Sequence, residues 1–190
     1  MTTTQDRPAP PGIGAELRYG TYEEALTYVG RESAPVEGDV EVNWATIRHY
    51  CAAIHDGNPS YWDPEVAQQT WGGLVAPPAM LMSWTIELPW KPGDFTPAPL
   101  VMGDVPLPGS SIVNVSNDTT HERPLRVGEK VAARVRIESV SPQKTTRVGT
   151  GHFITTLTTF TVEDEVVATQ ENTLFRFDLA ASENTETSTA

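Results

Sequence analysis

Two spacings of hydrophobic residues divide this chain. Up to about residue 88 apolar positions recur at helical intervals, and from about residue 111 they alternate. In WATIRHYCAAIH, residues Trp44, Ile47, Cys51 and Ile54 stand three, four and three apart, on one helical face. Asn43 is placed to cap that helix, and Asp56-Gly57 with Asn58-Pro59 to stop it. TYEEALTYVG carries a capping-box pattern, Thr21 followed by Glu24, with Gly30 as the expected helix end. Pro64 suits the first turn of a short helix through EVAQQT. Pro77 and Pro78 lack an N–H and can only begin a helix. From Ala79 to about Leu88 the following segment is apolar nearly all round (Met80, Leu81, Met82, Trp84, Ile86), which predicts a helix buried on every side.

The second half supplies what would wrap it. KVAARVRIESV puts Val131, Ala133, Val135 and Ile137 on one face and Arg134, Arg136 and Glu138 on the other. HFITTLTTFTV and EVVATQENTLFRF read as long strands joined by a tight turn near Glu163–Glu165, with SIVNVSNDTTHE as a further strand and PLVMG as a possible addition. No helical pattern separates these strands, so the sheet is expected to be mainly antiparallel. The predicted class is α+β: a single hot-dog domain over residues 16–179, with a curved antiparallel sheet wrapped round a buried central helix. The polar ends, 1–15 and 180–190, are expected to be disordered.

Charge and cysteine content narrow the function classes. Against 25 acidic residues stand 13 basic ones, a net charge of −12, the opposite of what a general nucleic-acid binder needs. One cysteine, Cys51, leaves no internal disulfide and no Cys-based zinc site. The histidines at 49, 55, 121 and 152 form no metal-ligand spacing, and no phosphate or dinucleotide loop motif is present. His49 is expected on a polar helix face, and a structural role is the default for His121 and His152. No metal or cofactor is expected. Without an apolar leader or a membrane-length apolar run, the expected location is the cytoplasm, with no membrane partner.

The chemistry concentrates in IHDGNPSYWD, residues 54–63. Asp56 is either an acid/base group or an ordinary turn former before glycine, and Asn58 is a turn former that could also orient Asp56 or a water. Tyr61 and Trp62 read equally as site residues and as packing at its rim. Met80 and Trp84 are core residues first and acyl-pocket lining second. Arg123 and Arg126 bracket a Pro-Leu step and could meet phosphates through guanidinium geometry, against the simpler reading of surface charge.

In the order YVGRE, IRHYCAAIHDGNPSYWDPEVA, GGLVAPPAML, RPLRVGEKV and paired long strands, the chain resembles the MaoC-like hydratases and dehydratases. The resemblance is to the branch with a fatty-acid-synthase-type N-terminal dehydratase domain, and it spans roughly residues 20–178. It implies reversible addition of water to a trans-2-enoyl thioester carried by CoA or acyl carrier protein. The family motif A-x-x-x-D-x-N-P-x-H-x-D stands here as A-I-H-D-G-N-P-S-Y-W-D, implying Asp56, Asn58 and Tyr61 as the catalytic positions. The block G-G-L-V-A-P-P-A-M-L implies substrate contacts at Gly73, Ala79, Met80 and Trp84, with the Ala79 N–H at a helix start able to stabilise the thioester oxygen. Arg123 and Arg126 complete the expected substrate-binding set.

One departure stands out: the motif's histidine is Tyr61, and tyrosine is a poor base at neutral pH. Pro78 likewise stands where many relatives carry histidine. Two arrangements follow from the resemblance. In one, this chain supports the acyl group beside a related hot-dog subunit that carries the Asp/His pair. In the other, a homodimer works with Asp56, Asn58 and Tyr61. A hot-dog acyl-CoA thioesterase is the weaker alternative. Association is expected in every case, because an exposed sheet edge invites pairing.

Overall fold

A computed structural model describes residues 17–88, 92 and 102–179. The polar ends expected to be disordered, and Pro99–Val101 of the possible PLVMG strand, lie outside these residues; Met102 and Gly103 form a turn. The helical half contains α1 (Tyr22–Leu26), α2 (Trp44–Ile54) and α3 (Pro64–Trp71), with 3-10 turns at Pro59–Tyr61 and Pro78–Trp84. The strands are β1 (Val36–Glu37), β2 (Ser111–His121), β3 (Ala132–Val140), β4 (Lys144–Thr145), β5 (Gly149–Val162) and β6 (Glu165–Leu179). They form one antiparallel sheet in the order β1-β3-β5-β6-β2, with β4 pairing β5.

Local chemistry explains the element ends. Thr21 and Glu24 form the reciprocal capping box, although α1 stops at Leu26 and the chain turns before Gly30, which has φ 82°. The Asn43 side chain accepts the Thr46 N–H at 2.9 Å and starts α2. Asp63 accepts from Glu65 and Val66 at the start of α3, with Pro64 as its first residue. β5 and β6 form a hairpin closed by Glu163 and Asp164, with Glu163 at φ 54°.

The sheet buries the face that carries Ile154, Thr156, Thr158 and Phe160 on β5. Ile47 and Cys51 of α2 pack there with Met80, Leu81, Trp84, Phe160 and Val167. A second cluster joins Ala25 of α1 to Val105, Leu107, Ile137 and Ile154. Bulges between Ile137 and Ser139 and between Asn114 and Ser116 break the strict alternation of β3 and β2.

The hot-dog class holds, but its central helix is smaller than its apolar pattern predicts. Only Pro78–Trp84 is helical, and it is 3-10 rather than α. Met80, Leu81 and Trp84 are buried, whereas Met82 is 47% and Ile86 63% exposed. Two prolines at the entry remove backbone donors, and a three-residue repeat turns Met82 away from the sheet that holds Met80 and Leu81. Ile54, expected on the buried face of α2, is also exposed, because the helix ends there.

Gly38 sets how closely the end of this turn can approach the sheet. A Cβ at Gly38 would lie 1.8 Å from the Trp84 carbonyl oxygen. Gly38→Ala is therefore expected to destabilise the fold by about 1–3 kcal/mol, the usual range for an overpacked contact. Urea unfolding monitored by circular dichroism checks this; an unchanged midpoint would mean that the turn shifts freely.

Candidate active site

The site is a turn held by tryptophans. α2 ends when His55 takes a left-handed conformation, φ 58°, and the Asp56 N–H returns to the Cys51 carbonyl at 2.8 Å. Asp56 Oδ1 accepts the Asn58 N–H at 2.9 Å, and Asn58 Oδ1 accepts the Ser60 N–H at 3.0 Å. Three indoles then fix the loop from outside. Trp62 Nε1 donates to the Asp56 carbonyl at 2.7 Å, Trp44 Nε1 to the Tyr61 carbonyl at 2.9 Å, and Trp71 Nε1 to Ser60 Oγ at 3.2 Å. The Arg48 guanidinium lies 5.2 Å from the Trp44 ring and 5.6 Å from that of Trp62. Sequence spacing alone did not reveal this clasp, since Trp44 and Trp71 reach the turn from different helices.

The geometry shows Asp56 as a turn former. One carboxylate oxygen serves the turn, and the group also sits close enough to Tyr61 and Cys51 to act on both. Burial, then the Asp56 carboxylate, then the Cys51 thiol, push the Tyr61 phenol above its ordinary value, while the Asn58 side chain pulls it back. Burial first and Asp56 second also raise the Cys51 thiol. Tyr61 is therefore a protonated hydrogen-bond donor at neutral pH, not a base.

A pocket of about 250 Å³ opens beside this turn. One wall is apolar: Trp71, Val75, Ala76, Pro77, Pro78 and Leu81. The other runs along the end of β2 and the segment after it, His121, Glu122, Arg123, Pro124 and Leu125. Tyr61 lines the pocket, whereas Asp56 and Asn58 do not. The two walls are tied by a short antiparallel ribbon, in which Ala76 N–H donates to the Leu125 carbonyl at 2.9 Å and Val127 N–H to that of Leu74 at 3.1 Å.

The remaining expected contacts divide. Gly73 follows the α3 cap, and Ala79 is exposed at the start of the 3-10 turn, where the first internal bond runs from Met80 N–H to the Pro77 carbonyl. That leaves the Ala79 N–H without an acceptor inside the turn. Met80 and Trp84 lie in the core and do not line the pocket. Arg123 faces the pocket, but its guanidinium is committed to Glu165 at 3.0 Å, Glu129 at 2.9 Å and the Pro124 carbonyl at 3.1 Å. Arg126 is exposed, with Nη1 3.8 Å from the point a Gly72 side chain would occupy. His121, read from the sequence as structural, ends β2 on the pocket wall; its strand pattern held no sign of this, because the pocket's other wall lies some forty residues earlier in the chain.

Known proteins agree with this geometry. The family described as "FAS1-like, dehydratase domain region" matches residues 27–170. A probable enoyl-CoA hydratase alpha subunit from Thermomonospora curvata is 36% identical over 87% of this chain and 54% of its own length. The 3-oxo-4,17-pregnadiene-20-carboxyl-CoA hydratase alpha subunit of Mycobacterium tuberculosis is 31% identical over 74% of this chain and 46% of its own. The chain thus spans about half the length of these relatives. Among solved structures, the ChsH1-ChsH2 complex from Mycobacterium tuberculosis matches with a TM-score of 0.72 at 30% identity, covering 85% of this chain and 93% of that one. The (R)-hydratase from A. caviae involved in PHA biosynthesis shares the fold, with a TM-score of 0.52 at 19% identity over 77% of this chain and 94% of its own. The family match, the sheet order and the motif turn converge: the chain belongs to the FAS1-like dehydratase-region family, and it shares the hot-dog fold of a MaoC-like dehydratase from Rhodospirillum rubrum.

Proposed function

We propose that this chain is the acyl-supporting subunit of an enoyl-thioester hydratase, working beside a related hot-dog chain that carries the Asp/His pair. The reaction is reversible addition of water to a trans-2-enoyl thioester, with CoA or an acyl carrier protein as carrier. The observation that carries this reading is Tyr61 in the place of the motif's histidine, with its phenol pushed upward by burial and by Asp56. A carboxylate and a protonated phenol supply one base at most, and one oxygen of that carboxylate already holds the Asn58 amide. Water addition needs proton removal from water and proton delivery to the α-carbon, so the second chain completes the set.

Two features support a partner. β2 is an edge strand of eleven residues, ten of them exposed, with Val113 and Val115 among them. Two relatives are named as alpha subunits, and the neighbour with the higher TM-score is a complex of two proteins. The role of this chain in catalysis is to shape the pocket, exclude water from the apolar wall and present the Ala79 N–H at the start of the 3-10 turn. That N–H is the group available to the thioester oxygen as negative charge develops on it.

A second reading keeps one specific observation in its favour: Tyr61 lines the pocket and lies within reach of the Asp56 charge, so a homodimer using Asp56, Asn58 and Tyr61 has these groups in one turn. Loss of the enone absorbance of a trans-2-enoyl-CoA separates the two. The purified chain alone is expected to show little turnover, and a related chain with D-x-N-P-x-H to restore it. Asp56→Asn is then expected to cost far less than loss of the partner's motif histidine. Robust turnover by the chain alone, abolished in Asp56→Asn, would establish the homodimer instead; release of free CoA from saturated acyl-CoA would point to a thioesterase.

A further inference from the structure

The pocket is not uniformly apolar: Tyr61, His121, Glu122 and Arg123 also line it. Tyr61 projects a phenol from the motif turn, and His121 projects an imidazole from the end of β2 on the other wall. No hydrogen bond or ion pair engages the His121 ring among the described residues. The charged groups of the same wall do not offer a cation. Arg123 is matched by both Glu129 and Glu165, and Glu122 adds a further negative charge at the rim.

We propose that this pocket selects a compact acyl group whose far end carries a neutral oxygen, a ketone or hydroxyl, held between Tyr61 and His121. The proposal rests on the reading of the pocket as an acyl site and adds its specificity. A plain alkyl tail laid against the half-buried Tyr61 and the exposed His121 offers neither a hydrogen-bond partner. A neutral oxygen satisfies both. A carboxylate would meet the excess negative charge of Glu122, Glu129 and Glu165. Size points the same way: about 250 Å³ corresponds to roughly eight waters at about 30 Å³ each, which fits a short tail and falls below the usual range for drug-sized ligands.

Calorimetric titration of the full chain, alone and with its partner when one is identified, tests this with three probes. These are hexanoyl-CoA, the oxohexanoyl-CoA with its ketone next to the terminal methyl, and adipoyl-CoA. The ketone is expected to bind about ten-fold more tightly than the plain chain, as one net hydrogen bond provides, and the dicarboxylic chain most weakly. Tyr61→Phe and His121→Leu are each expected to remove most of the ketone's advantage over hexanoyl-CoA measured in the same variant. Trp71 lines the pocket, so quenching that disappears in Trp71→Phe locates the bound tail. Equal binding of hexanoyl-CoA and the ketone, or a preference that survives both substitutions, overturns the specificity and leaves the acyl pocket standing. Failure of all three probes to bind overturns both.

Discussion

Replacing Tyr61 with histidine is expected to raise hydration of a trans-2-enoyl-CoA by the chain alone by about 10²–10⁴-fold, the usual contribution of a positioned acid/base group. The reasoning is local. The backbone of the turn is held independently of the Tyr61 side chain, by Trp44, Trp62 and Trp71 and by the Asp56 and Asn58 caps. A new imidazole at that position therefore inherits a fixed place at the pocket wall, with the Asp56 carboxylate beside it. Where the phenol stays protonated at neutral pH, an imidazole titrates near it and can both accept and return a proton. The measurement is the initial rate of enone loss for wild type and Tyr61→His, with Tyr61→Phe as control. Tyr61→Phe is expected to differ little from wild type, because a protonated phenol contributes no base. If Tyr61→His gains nothing although acyl-CoA still binds, the missing histidine is not what limits this chain. A large loss in Tyr61→Phe would instead make the phenol itself catalytic.

Arg176→Ala is expected to destabilise the domain by about 2–6 kcal/mol, about 1–3 kcal/mol for each of two buried carbonyls left without a donor, against the roughly 5–15 kcal/mol that holds a domain of this kind together. Arg176 is fully buried at the end of β6, yet among the described residues no carboxylate forms an ion pair with its guanidinium. Nε donates to the Gly109 carbonyl at 3.1 Å and Nη1 to the Val105 carbonyl at 2.9 Å, while Nη2 is unpaired. Burial pulls the group below its ordinary value, against the influence of Tyr19, whose ring lies 5.1 Å away, and of Asp178. The side chain thus works as a strut that satisfies two buried carbonyls and ties the segment entering β2 to the sheet. Arg176→Met should be the milder change, since it restores volume and removes the desolvated charge but leaves both carbonyls without a donor. Urea midpoints of the two variants check this order. A loss under about 1 kcal/mol for Arg176→Ala would mean that the segment finds other donors.

Much of this was legible along the chain. Asn43, Asp63, Pro64 and the Thr21–Glu24 box mark helix starts that the structure reproduces, because caps act within one turn and their partners are neighbours in sequence. The alternation through residues 152–162 and 165–177 predicted the long hairpin for the same reason: a period of two is written into the strand itself. The turn at residues 54–63 was recognisable from Gly57, Asn58 and Pro59, and the motif around it pointed to the family.

Apolar content was a poorer guide where burial depends on what lies opposite. The stretch from Ala79 to Leu88 has the composition of a fully buried helix, yet Met82 and Ile86 are exposed, because the sheet covers only the side that holds Met80, Leu81 and Trp84. Arg123 and His121 follow the same logic. Glu165, forty-two residues beyond Arg123, pairs with it, while the pocket that His121 lines is closed by a wall from Val75 to Leu81.

By itself, then, the sequence determined the local elements, the α+β sheet and the motif turn with its tyrosine, since each depends on interactions between residues a few positions apart. Only the tertiary structure decided which groups share the pocket, which cations are already paired and which apolar residues remain exposed. Those outcomes depend on contacts between distant segments, and no period or spacing along the chain encodes the distance between them.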